Sequence, residues 1–88
     1  MQNIGDQIYN HGDNANASHF GVIAAIKTSP YGTTCQIVPA EDSCYKHGPY
    51  WVQDYQIGNV YKGNGLTRIV TKQAYQTWTA DCRKALSR

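Results

Sequence analysis

Alternation of apolar and polar positions marks most of the chain as strand. In Phe20–Thr28, FGVIAAIKT, Val22, Ala24 and Ile26 fall on one side and Ile23, Ala25 and Lys27 on the other, the two-residue period of a strand with one buried and one half-covered face. SPYG follows at Ser29–Gly32, with Pro second and Gly fourth as a type I turn prefers, and predicts a hairpin with Thr33–Ala40, in which Cys35 and Ile37 share a side. Pro39 cannot donate to a ladder, so it belongs at that strand's end or at an edge. An earlier strand over Gly5–Asn10 and two later ones, Tyr50–Ile57 and Leu66–Thr71, bring the expected number to five short antiparallel strands. The polar stretches Asn10–His19, Glu41–Pro49 and Gly58–Gly65 read as the connections.

After Thr71 the period changes. Ala74, Tyr75, Trp78, Cys82, Ala85 and Leu86 recur at helical spacing, and Thr71 is a suitable N-cap, which predicts an amphipathic helix over about residues 72–86 lying on the sheet with Trp78 as a core contact. Lys72, Gln73, Gln76, Arg83, Lys84 and Arg88 form its solvated face. The expected fold is mostly β: a small, partly open five-stranded barrel with a C-terminal helix, in one domain over residues 1–88.

Composition adds two things. With 88 residues there is room for one core, yet the chain carries seven Tyr, two Trp and one Phe, so some rings must reach the surface, where flat amphipathic side chains serve binding. Charge is also divided. Lys27 and Lys46 stand against five acidic residues in residues 1–61, net −3, whereas residues 62–88 hold six basic residues against Asp81 alone, net +5. Such a field can attract nucleic acid or an acidic protein, although basic residues late in a helix also complement its dipole. The odd number of cysteines, Cys35, Cys44 and Cys82, suits reduced thiols better than a disulfide framework. No apolar run approaches a membrane span and the N-terminus lacks the pattern of a signal peptide, so a cytoplasmic protein without a membrane association is expected.

GDQIYNHGD followed by FGVIAAI resembles the start of a KOW-type, SH3-like barrel: a Gly-Asp turn at Gly5 and Asp6, an apolar strand at Ile8, a loop, then Gly21, where close backbone approach permits the bend into Val22–Ile26. Such domains are usually non-catalytic and bind RNA, DNA-associated machinery or protein segments, so the resemblance implies binding rather than turnover. The long Asn10–His19 loop and the terminal helix depart from that pattern. HGDNANASHFG together with YKGNGLTRIVT is also similar to small proteins carried by bacteriophages and other mobile elements, for which inhibition or redirection of a host nucleic-acid-handling or defence factor is a natural role.

Two chemical alternatives have weaker patterns. Cys35, Cys44, His47 and Cys82 lack the two tight ligand pairs of a zinc site, so no metal or other cofactor is expected. His11, Asp13 and His19 lack an acyl nucleophile motif, a phosphate-cradling Gly loop or a paired carboxylate, which sets a small metal- or His-dependent enzyme behind binding. The leading expectation is a protein-binding module whose host partner meets Tyr9, His11, Asp13, His19, Phe20, Tyr31 and Tyr50. In the alternative, nucleic acid is bound directly, with Lys62, Arg68, Lys72, Arg83 and Lys84 on phosphates and aromatic rings on bases.

Overall fold

The computed structural model describes residues 2–59 and 68–86. Among the described residues six strands form one sheet in the order β4-β3-β2-β1-β6-β5, followed by a single helix. The strands are β1 (Gln7–Asn10), β2 (His19–Ser29), β3 (Gly32–Pro39), β4 (Tyr50–Gln53), β5 (Ile57–Gly58) and β6 (Ile69–Thr71), and the helix is α1 (Lys72–Leu86). The sixth strand arises because Tyr50–Ile57 is not one strand. It breaks after Gln53 into a 3-10 turn, Asp54–Gln56, in which the Gln56 side chain accepts from the Gln53 amide at 2.8 Å. That turn carries the chain from one edge of the sheet, β4, to the other, β5, which pairs parallel with β6 rather than antiparallel. Three residues in a 3-10 turn span only about 6 Å, so the sheet must roll until its edges approach. The result is a half-barrel.

The inner face holds the core. Ile8, Ile23, Cys35, Ile37, Ile57 and Ile69 are buried together, with Ile26, Tyr50 and Val52 packed against them. Strict alternation in β2 would put Ile23 and Ile26 on opposite faces. A register shift between Ile23 and Ala25 inserts one residue, so both side chains turn inward and Val22 turns outward. Gly21 is required where β2 crosses the core: a Cβ there would lie 2.9 Å from Ile37 Cγ2 and 3.1 Å from the Val38 carbonyl. The β2–β3 hairpin forms as expected, with Ser29 opposite Gly32 and the Ser29 hydroxyl accepting from the Tyr31 amide and donating to the Gly32 carbonyl. Pro39 closes β3.

The Thr71 hydroxyl accepts from the Ala74 amide at 3.2 Å, the N-cap bond that starts α1. The helix does not lie flat on the barrel along its length. It packs on β1 and β6, and Ala74 alone in it is buried. Trp78 is 39% exposed and Leu86 86% exposed, because the strands beneath α1 are three and four residues long and the last turns of a 15-residue helix overhang them. Trp78 is therefore a surface residue, not the core contact its spacing predicts.

Candidate functional site

The outer face of the sheet is aromatic where α1 crosses it. Register places Tyr9 opposite Phe20, and the helix brings Tyr75 against both rings and Trp78 beside His11 and Tyr75. Tyr9 and Tyr75 stack with centroids 4.0 Å apart; Phe20 meets the edge of Tyr9 at 4.7 Å, and His11 stands edge-on to Tyr9 at 4.9 Å and to Trp78 at 5.8 Å. Five rings from a sheet and a helix thus form one rigid cluster, and it is only half covered: Phe20 is 40% exposed. Partial burial holds the His11 imidazole below its ordinary range, so the ring stays neutral near neutral pH. Burial raises the Tyr75 phenol, and neighbouring Tyr9 adds to the shift. The Lys72 ammonium sits 5.8 Å from the Phe20 centroid, a cation over the cluster's margin.

Beside the cluster runs a groove of about 480 Å³, floored by Phe20, Val22, Val38 and Pro39 with Lys72 and Glu41 at its rim. An outward sheet face is ordinarily polar. Here Val22 and Val38 pair in register, and nearer the β4 edge, opposite Gln36, Trp51 is exposed beneath the Lys27 ammonium at 4.8 Å.

The inner mouth of the half-barrel is built differently. His19 is 3% exposed, with Nδ1 2.9 Å from the Ala17 carbonyl and Nε2 2.7 Å from the Tyr50 hydroxyl. The carbonyl can only accept, so Nδ1 carries the proton and Nε2 accepts from Tyr50. Asn10 accepts from the Gly12 amide with Oδ1 and donates through Nδ2 to Tyr50 at 3.1 Å. Every member of the chain Asn10–Tyr50–His19–Ala17 is satisfied, and Tyr45 stacks on His19 at 4.3 Å. Burial is the main cause that raises the Tyr50 phenol, keeping it protonated and able to donate. This network ties β4 and the Tyr45 loop to β1 and β2.

The Asn10–His19 loop ties itself together. Asp13 Oδ1 accepts from the Ala15 and Asn16 amides at 2.8 Å each, the Asp13 amide donates to the Asn16 carbonyl, and Gly12 takes a positive φ of 72°. These amides, with the Asn16 side chain and Arg68 as smaller contributions, hold the Asp13 carboxyl below the usual range. Arg68 lies 3.6 Å from Asp13.

The predicted partner residues are thus divided. Tyr9, His11 and Phe20 meet on the outer face; His19 and Tyr50 meet inside the mouth; Asp13 organises its loop; Tyr31, 97% exposed, stands alone at the hairpin tip. Of the basic set, Arg68 pairs with Asp13, Lys72 borders the groove, Arg83 and Lys84 lie on the last turns of α1, and Lys62 falls outside the described residues. Cys35 is buried in the core, where burial raises its thiol, while Cys44 is exposed and Cys82 half-buried, and the described residues bring no three His, Cys, Asp or Glu side chains into a metal-holding group. Comparison with protein-family models, with curated proteins and with solved structures finds no match. The site rests on its own geometry. Sequence reasoning missed Trp78 as a surface residue and Tyr75 as a half-buried member of the cluster, because apolar residues at helical spacing look alike whether a sheet lies beneath them or not; it also missed Asn10, whose role depends on a residue forty positions away.

Proposed function

We propose that this protein is a non-catalytic binding module of the SH3-like barrel kind that takes a protein partner on the aromatic outer face around Tyr9, His11, Phe20, Tyr75 and Trp78. The observation that carries the reading is the half exposure of Phe20 and Trp78 within a ring cluster fixed by both sheet and helix. Large rings already held in place lose little conformational freedom on binding, which is why such residues dominate protein interfaces. The inner mouth supports the same reading from the other side, since its polar groups are spent on one another and hold the scaffold rigid. Likeness to mobile-element proteins directs the search for the partner to host factors that handle nucleic acid or act in defence. Direct nucleic-acid binding has less support: Arg68 faces Asp13, and Lys72 is separated by most of α1 from Lys84.

Site-specific photo-crosslinking tests this. A benzophenone amino acid at Phe20 or Trp78 should trap one discrete protein adduct that survives nuclease and moderate salt, while the same group at Tyr31 traps none. Nucleic acid in the Trp78 adduct, with affinity falling steeply as salt rises, would replace the proposal by the nucleic-acid reading.

A further inference from the structure

β4 is a terminal strand of the described sheet, and a terminal strand presents main-chain groups with which a strand of another molecule can pair. Such edges are commonly blunted by a charge or a proline within the strand. β4 reads YWVQ and carries neither. In an antiparallel pair, residues whose amide and carbonyl point at the neighbouring strand alternate with residues whose groups point away. The Gln53 amide donates to the Gln56 side-chain oxygen at 2.8 Å, so Gln53 is of the outward kind. Register then fixes the rest of the strand: Tyr50, opposite Ile37, and Val52, opposite Cys35, turn their main chain towards β3, while Trp51, opposite Gln36, turns its main chain to the edge as Gln53 does. The edge of β4 thus has two outward amides, and Gln56 already holds one of them.

From this we infer that Gln56 is an edge guard: by capping the Gln53 amide it keeps β4 from pairing antiparallel with β4 of a second copy of the chain. Two identical edges are self-complementary about a two-fold axis, and β4 has no charge of its own to oppose their pairing. With the cap in place each strand offers one residue, Trp51, and a single residue pair does not offset the entropy lost when two chains associate. Without the cap, Trp51 and Gln53 both offer an amide and a carbonyl. The Lys27 ammonium over the Trp51 ring is a second deterrent, since edge pairing would bring two such cations towards each other. The guarding bond also belongs to the turn Asp54–Gln56, so one side chain both ends β4 and closes its edge. This inference does not depend on the partner face proposed above, which lies on β1, β2 and α1.

Sedimentation velocity between about 10 and about 300 µM reads self-association through mass action. Gln56→Ala should lower the dissociation constant about tenfold or more relative to the unaltered chain, through the hydrogen bonds released on both copies, while far-UV circular dichroism keeps its strand signal. Adding Trp51→Pro, which removes the other outward amide and is tolerated in an edge strand, should reverse the gain. Adding Trp51→Ala instead, which removes the ring but keeps the amide, should not. The inference is overturned if Gln56→Ala sediments as the unaltered chain does, if its strand signal is lost, or if Trp51→Pro leaves the association unchanged. Reversal by Trp51→Ala as complete as that by Trp51→Pro would also overturn it, since the contact would then be an exposed ring rather than a main-chain edge.

Discussion

The two faces of the sheet share strands but not chemistry. The inner face is aliphatic and closed: Ile8, Ile23, Cys35 and Ile37 expose nothing, and the polar groups at its mouth are paired with one another. The outer face is aromatic and half open, with Phe20, Trp51 and Trp78 all partly in water and a groove beside them. Aliphatic side chains contribute to stability when fully buried and offer little to a partner. Rings keep one surface for packing and another for contact. The difference teaches that stability and recognition are separated here by the pleat of the strands, with adjacent residues such as Ile8 and Tyr9 serving opposite purposes.

Breaking the inner face should have the largest effect. Ile37→Ala removes a fully buried side chain that also packs against Gly21, and should cost about 3–5 kcal/mol, a large part of what a domain of this size possesses. Denaturant unfolding checks the figure. Next comes Tyr50→Phe, which keeps the ring but leaves the Asn10 amide and His19 Nε2 without their partner; the expected cost is about 1–3 kcal/mol by the same measurement.

The outer face supplies a smaller, pH-dependent effect. His11 has a folded-state pKa below its ordinary value near 6.5, so the unfolded chain binds the proton more readily. Its contribution is present in full above about pH 6.5 and is lost as pH falls through the lower folded value. Melting curves between pH 7.5 and 5 should therefore show a decline that His11→Gln flattens.

Much of the inner face was legible in the chain. Cys35 and Ile37 share a side because β3 keeps a strict two-residue period, SPYG sets its hairpin, and Thr71 caps a helix whose bounds the spacing alone places at Lys72–Leu86. Three features were not legible, each because it depends on distant partners. The bulge at Ala24 shifts the period of β2 by one residue, which only pairing with β3 reveals. The break after Gln53 arises where Gln56 reaches back to the Gln53 amide, inside a stretch that still alternates. The length of strand beneath α1 decides that Trp78 is a surface residue, and no property of the helix records it. The outer-face site was legible only in fragments: Tyr9, His11 and Phe20 come from the first loop and its flanks, while Tyr75 and Trp78 lie more than fifty residues later.

The most direct test of the division between faces is a pair of thermal melts, Ile37→Ala beside Trp78→Ala. At roughly 4–8 °C per kcal/mol for a domain of this size, the first should lower the melting temperature by more than about 12 °C. The second loses ring contacts to His11 and Tyr75 at a half-exposed position, about 1–2 kcal/mol, and should lower the melting temperature by less than the first. Equal losses in the two variants would make Trp78 part of the core and contradict the assignment of the outer face to binding.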